Sequence, residues 1–216
     1  MSTSLQKTPE IIQHVQRMNK ITIKPNLASE YNHIKGIYTI EYDNTDGEEV
    51  ITVTESEPSN YVLPTDKFIC LKASDGMLLI DGERERQNCV RDNLTVFSPA
   101  GFQLGSVVRR RFDLYSQYDI CDGNMKMLYH LKSDSSETFI MNQGNKVVAT
   151  VSHDTKKTTF EISYQLETST IEKFLILICV LMWTKHVQLH NEGQEDYCCR
   201  MILRQLTLCL ISCIPT

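Results

Sequence analysis

Runs of alternating apolar and polar residues recur from Ile21 to Gln165, and most of them end at residues that favour turns. A period of two is typical of strands that bury one face, and the β-branched residues common in these runs prefer pleated sheet. Asp-Gly between apolar runs predicts a tight hairpin turn, and it occurs at Asp75-Gly76, Asp81-Gly82 and Asp122-Gly123. The pattern predicts about eleven strands in an antiparallel barrel or sandwich. The predicted strands are 37–42, 50–54, 68–72, 77–80, 94–97, 105–108, 118–121, 127–131, 139–141, 147–151 and 160–164.

A different pattern follows the last predicted strand, where ten apolar residues run without interruption from Phe174 to Trp183. Ten residues of helix rise about 15 Å, which is half of the roughly 30 Å hydrocarbon core of a bilayer. A helix that is apolar all round must nevertheless be buried. We therefore predict a helix enclosed by the protein, as in the interior of a barrel.

Composition and charge narrow the class of protein. The chain has 216 residues and a formal net charge of −5, which argues against a dedicated nucleic-acid binder because such proteins rely on basic side chains. The first residues lack the apolar core of a signal peptide, which favours the cytoplasm. The eight cysteines include no CxxC pair, so the spacing of a structural zinc site is missing.

Two segments carry a family resemblance. Leu94 to Val107 reads LTVFSPAGFQLGSV, and Tyr118 to Asp122 reads YDICD. They resemble the V-x-x-P-x-G-x-x-x-G-x-V … F-x-I-x-n passage of phospholipid scramblases. The order of the later strands and of the hydrophobic helix is similar to that family too. The resemblance covers about residues 20–186 and is clearest from 94 to 183.

The fold that this resemblance implies is mainly β with one helix. Scramblases belong with the tubby-like and LURP-one-like proteins, whose fold is a closed antiparallel β-barrel of about twelve strands around a central hydrophobic helix. The barrel is expected over residues 21–186, after an N-terminal extension (1–20) with a short amphipathic pattern and before a cysteine-rich tail (187–216), and its central helix is expected near residues 171–186. The buried or lipid-contacting residues of that helix would be Phe174, Leu175, Leu177, Ile178, Leu181 and Trp183.

The segment before the helix departs from the family. Scramblases carry acids there that are proposed to bind calcium, and calcium needs several carboxylate or carbonyl oxygens on a short loop. This chain has Lys156 and Lys157 in that region, and Glu167 is the only acid carried over, which makes it a weak metal candidate. We therefore expect no cofactor and no calcium trigger of the usual kind.

Basic residues and cysteines outside the helix suggest membrane contacts. Arg109, Arg110 and Arg111 could grip anionic phospholipids or phosphoinositides through forked guanidinium contacts, with Lys156 and Lys157 as further candidates. The alternative is that the arginines form a solvated strand end. Cys198 and Cys199 stand in an apolar tail compatible with S-acylation and an interfacial helix, or with a terminal helix packed on the barrel.

Two hypotheses of function follow. The first is a scramblase-like protein at the cytoplasmic face of a membrane, which moves phospholipids across the bilayer or regulates that movement. The second is a non-enzymatic tubby-like module that binds phosphoinositides or a protein partner. No hydrolytic, transferase or redox motif is found in the sequence, so we expect a protein that is not an enzyme.

Overall fold

The computed structural model describes residues 15, 19–25, 37–41, 50–55, 65–72, 76–88, 91–110, 117–133, 138–142, 144–154, 159–165 and 168–191. These ranges hold twelve strands and one helix, α1. The strands are β1 Lys20–Pro25, β2 Ile37–Glu41, β3 Val50–Glu55, β4 Thr65–Lys72, β5 Leu78–Asn88, β6 Arg91–Phe97, β7 Gln103–Arg110, β8 Gln117–Asp122, β9 Met127–Ser133, β10 Thr138–Asn142, β11 Val147–Asp154 and β12 Thr159–Tyr164. The helix α1 spans Thr170–Asn191.

All strand pairs are antiparallel, and each strand pairs with its neighbours in sequence. The first strand, β1, pairs with β2 on one side and with β12 on the other, so the strand order returns to its start as a closed barrel. Closure leaves no strand with an unpaired edge. The prediction of a mainly β chain with one antiparallel sheet and one C-terminal helix is confirmed.

Alternation along the strands gives the sheet one apolar face. In β12 the burial alternates residue by residue, with Phe160, Ile162 and Tyr164 buried. The same apolar face continues from strand to strand, because Leu94 of β6 pairs with Val107 of β7 and both are fully buried. The period of two that predicted the strands is therefore the period of the core.

The prediction of a hairpin turn at Asp81-Gly82 is wrong. Both residues are buried inside β5, which continues to Asn88. A Cβ built on Gly82 would lie 3.3 Å from the carbonyl oxygen of Ile69, beside a register shift between β4 and β5. The glycine here allows two strands to approach closely, and Asp81 accepts a hydrogen bond from the Cys70 thiol at 3.3 Å.

Three later hairpins share one turn geometry. In the turns Ser98–Phe102, Asp122–Lys126 and Asn142–Lys146, the N–H of the first residue donates to the carbonyl oxygen of the fifth at 2.8–3.0 Å. The fourth residue of each turn has a positive φ: Gly101 (81°), Met125 (63°) and Asn145 (57°). The predicted turn at Asp122-Gly123 is confirmed.

The helix α1 is buried along most of its described length. Every residue from Phe174 to Trp183 is at most 6% exposed. Its first half lies against the apolar face of the sheet, since a Cβ on Gly105 of β7 would be 2.8 Å from Leu175 Cδ1. On β12, the Tyr164 hydroxyl donates to the Lys173 carbonyl oxygen at 3.1 Å. The helix ends at Asn191, five residues beyond the predicted boundary at residue 186.

The chain forms two compact units, Met1–Cys179 and Val180–Thr216. All twelve strands and the first half of α1 belong to the first unit. Within the predicted N-terminal extension, Val15 is helical and buried, and most of the other residues of 1–20 lie outside the described ranges. The predicted tail lies outside them too, apart from the last residues of α1.

Candidate functional site

The strand connections lie at two opposite ends of the barrel. Because successive strands are antiparallel neighbours, their connections alternate between the ends. The connections β4–β5, β6–β7, β8–β9, β10–β11 and β12–α1 share one end, which we call the α1 end. We call the opposite end, which contains Arg91, Arg109 and Arg110, the arginine end.

The arginine end gathers basic residues from neighbouring strands. Arg110 of β7 stands opposite Arg91 of β6 in the ladder, and Arg109 stands opposite Asp92. The sequence analysis missed Arg91, because only the ladder shows that it neighbours the arginine triplet.

Several predicted site residues lie outside the described ranges. These are Arg111, Lys156, Lys157, Glu167, Cys198 and Cys199. The backbone of Arg110 is described and its side chain is not, whereas Arg109 is half-buried near the end of β7. Within the described ranges no cluster of three or more His, Cys, Asp or Glu residues could hold a metal ion.

At the α1 end, the start of the helix is fixed by a network of hydrogen bonds. Ser169 and Glu172 form a capping box, in which the Ser169 N–H donates to Glu172 Oε2 at 2.7 Å and the Glu172 N–H donates to Ser169 Oγ at 3.3 Å. The Tyr129 hydroxyl of β9 donates to Glu172 Oε1 at 2.7 Å. The spacing S-x-x-E before an apolar run is a sequence signal for this cap, and the sequence analysis missed it.

The network shifts the pKa values of its members. Burial raises the pKa of the Tyr129 hydroxyl, and the hydrogen bond to the Glu172 carboxylate raises it further. Burial acts to raise the pKa of Glu172 too, but the hydrogen bonds from Ser169 and Tyr129 outweigh it and hold the pKa below 4.5. Burial lowers the pKa of Lys173, whose Nζ lies 5.4 Å from the centre of the Tyr164 ring. Glu172 is therefore an ionised anchor of the helix.

The six helix residues predicted to be buried or lipid-contacting are all buried. Phe174, Leu175, Leu177 and Ile178 belong to the first compact unit, and Leu181 and Trp183 to the second. Burial also raises the pKa of the neighbouring Cys179 thiol. Within the part of the chain that the structure describes, no helix is long and apolar enough to cross a membrane.

The α1 end also carries exposed apolar side chains that the sequence analysis did not single out. They are Phe102 (73% exposed), Met125 (58%), Ile171 (46%) and Met77 (38%). Phe102 and Met125 lie in hairpin turns, and Met77 lies just before β5. Position in a turn was the available signal, because an apolar residue there has no sheet face on which to be buried.

A shallow depression of about 300 Å³ lies on the outer face of the sheet, over β1, β11 and β12. Its lining is Thr22, Lys24, Ser152, Asp154, Thr159 and Glu161. Nearby, Lys20 Nζ and Glu161 Oε2 form an exposed ion pair at 2.8 Å. The mixture of one cation and two carboxylates gives the depression no excess of positive charge for a phosphate.

Comparisons with known proteins leave the family open. No family model matches the chain, and no curated protein or solved structure matches it either.

Proposed function

We propose that this chain is a phospholipid scramblase-like protein of the tubby-like and LURP-one-like superfamily that acts at a membrane surface. In this proposal α1 is the permanent central helix of a twelve-stranded barrel, and the protein binds anionic phospholipids from the cytoplasmic side. It moves phospholipids across the bilayer or regulates that movement, without a calcium trigger of the usual kind.

The burial of α1 is the observation that carries the proposal. A helix that is apolar on all sides has to be covered on all sides, and Phe174 to Cys179 are buried at every position. Residues 172 to 175 at the start of α1 contact β7, β9 and β12, three strands within the half of the strand order that runs from β7 to β12. Both findings support the family's central-helix architecture.

The same burial also favours the second hypothesis, a non-enzymatic tubby-like module that binds phosphoinositides or a protein partner. Because the helix residues are enclosed, recognition of a headgroup would use the ends or the outer face of the barrel. Two surfaces are available: the arginine end, which contains Arg109, and the α1 end.

Flotation with vesicles tests the membrane proposal. The purified, unacylated full chain would be mixed with phosphatidylcholine vesicles that contain or lack phosphatidylserine and phosphoinositides, at low and at physiological salt, with and without calcium. We expect flotation that needs the anionic lipids, weakens with salt and does not need calcium. Failure to float on any of these vesicles would contradict the proposal.

Reconstitution separates the two hypotheses. Vesicles with a fluorescent phospholipid in both leaflets would be treated with a reductant that bleaches only the outer leaflet. A scramblase-like protein would raise the bleached fraction above one half, whereas a binding module would float on the vesicles and leave one half of the signal.

A further inference from the structure

We infer that the α1 end is the surface that contacts an anionic bilayer, with Phe102 and Met125 entering the membrane interface. This inference rests on the proposed function and adds to it the part of the molecule that meets the lipid. The occupant to which it commits is the surface of a bilayer that contains acidic phospholipids.

The first argument is the placement of exposed apolar residues. Large exposed apolar side chains among the described residues are Phe102, Met125, Ile171 and Met77, and all four lie at the α1 end. Single exposed apolar residues are ordinary, whereas large apolar side chains in two adjacent hairpin turns, Phe102 and Met125, can form a patch.

The second argument is that three of these residues lie on structures that contact one another. A Cβ built on Gly123, in the turn of Met125, would lie 3.0 Å from the carbonyl oxygen of Gln103, the neighbour of Phe102. Tyr129, on the hairpin that carries Met125, donates its hydrogen bond to Glu172, the neighbour of Ile171. The turns of Phe102 and Met125 are therefore adjacent, and the hairpin of Met125 is joined to the helix cap beside Ile171.

The third argument compares two sister turns. Asp122–Lys126 and Asn142–Lys146 have the same backbone hydrogen bonds, and in each the side chain of the first residue accepts from the N–H of the third and the fifth at 2.9–3.0 Å. At the left-handed fourth position one turn has Asn145 and the other has Met125. Asn tolerates that conformation much better than Met.

Met125 is therefore unfavourable for the left-handed backbone conformation of this position, and its apolar side chain is exposed. Within the fold, Ser106 Oγ donates a hydrogen bond to Met125 Sδ at 3.4 Å. Strain kept at an exposed position is typical of a functional site. Burial of the methionine in a membrane interface would offset it.

The charge of this end indicates the occupant. Lys72, Lys126 and Lys146 are exposed at the α1 end, and Lys126 follows Met125 in its turn. Lysines on the same end as exposed apolar side chains fit an acidic bilayer, in which the apolar groups enter between headgroups while the ammonium groups stay at the phosphates.

The test uses the full chain with Phe102→Gln and Met125→Asn, alone and combined, in flotation on vesicles with 30 to 40% phosphatidylserine, which is roughly the content that gives a strong surface potential. Met125→Asn copies the sister turn, so it should leave the melting temperature unchanged or raise it. We expect each substitution to weaken vesicle partitioning about tenfold and the pair about a hundredfold. A purely structural role of Met125 would instead lower the melting temperature and the partitioning together.

Lysine substitutions provide a matched comparison within one strand and its turn. Lys126→Gln at the α1 end and Lys132→Gln near the other end of β9 remove the same charge from exposed positions. We expect Lys126→Gln to weaken partitioning about fivefold and Lys132→Gln to leave it unchanged, since one lysine near an anionic surface contributes about 1 kcal/mol.

Other outcomes would overturn the inference. If the unaltered chain floats and the combined Phe102 and Met125 variant floats equally well, the α1 end is not the membrane contact, although the proposed function stands. Loss of flotation in an Arg109→Gln, Arg110→Gln variant alone would assign the contact to the arginine end. If a soluble protein partner covers Phe102 and Met125 and vesicles do not, the α1 end is a protein-binding surface and the inference is wrong.

Discussion

Single positions show how tightly the sheet and the helix are fitted together. Gly105 lies on the buried face of β7, where a Cβ would meet the carbonyl oxygen of Cys121 and would lie 2.8 Å from Leu175 Cδ1. We expect Gly105→Ala to lower the free energy of unfolding by about 1–3 kcal/mol, because the backbone of β8 cannot yield as a side chain can. Urea denaturation would measure the change.

A second glycine is the matched control for this substitution. At Gly144 a Cβ would lie 3.4 Å from Asn142 Oδ1, an ordinary contact distance. Gly144→Ala should therefore change stability by less than about 0.5 kcal/mol. Equal effects at the two glycines would mean that α1 does not approach β7 as described.

The stability that Glu172 contributes through the helix cap depends on pH. Its pKa is lower in the folded chain than the 4.5 of a free glutamate, so folding favours the ionised carboxylate. The resulting stabilisation is complete above about pH 4.5 and is lost as the pH falls through the lower folded pKa. Glu172→Gln should therefore be less stable than the unaltered chain at pH 7, and the difference should shrink below pH 4.5. Denaturation midpoints from pH 7 to pH 3 that fall in parallel would contradict this account.

At the scale of elements, α1 is the part of the fold that tolerates least change. Leu177 is 1% exposed, and an aspartate there would leave an unpaired charge in an apolar surrounding. We expect Leu177→Asp to unfold the first compact unit, which circular dichroism and the loss of a cooperative melt would show.

Ile171→Asp places the same charge in the same helix at an exposed position and near its N-terminus, where a carboxylate is favourable. That variant should keep its melting temperature. A soluble Leu177→Asp protein with an unchanged melting temperature would refute the enclosed helix.

The elements were largely predictable because their signals are local. Alternation located eleven of the strands, and the apolar run located α1. The turn predicted at Asp81-Gly82 failed for a reason that the local sequence does not contain: Gly82 is required by the backbone of β4, which packs 3.3 Å from the place of its missing Cβ. The same limit applies to Arg91, since only the pairing of β6 with β7 places it opposite Arg110.

At the scale of the whole molecule, the strand order brings together residues that are far apart in the sequence. The ladder gathers Arg91, Arg109 and Arg110 at one end and the exposed Phe102 and Met125 at the other. A pattern along the chain cannot reveal this division, because residues that meet at one end come from connections about twenty residues apart. Strand order was needed to recognise the α1 end as one surface.

Because the sheet is closed, we expect β1 to unfold only together with the rest of the barrel. Since β1 pairs with both β2 and β12, its successive amides bond to alternate neighbours, and the whole strand can leave the sheet only when two ladders break. We expect the β1 amides, including those of Ile21 and Ile23, to exchange hydrogen with the free energy of global unfolding, within about 1 kcal/mol of the amides of β7. Native-state hydrogen exchange compared with urea denaturation would measure both. An edge strand frays, so β1 amides that exchange several kcal/mol more easily than those of β7 would mean that the sheet is open between β1 and one of its neighbours.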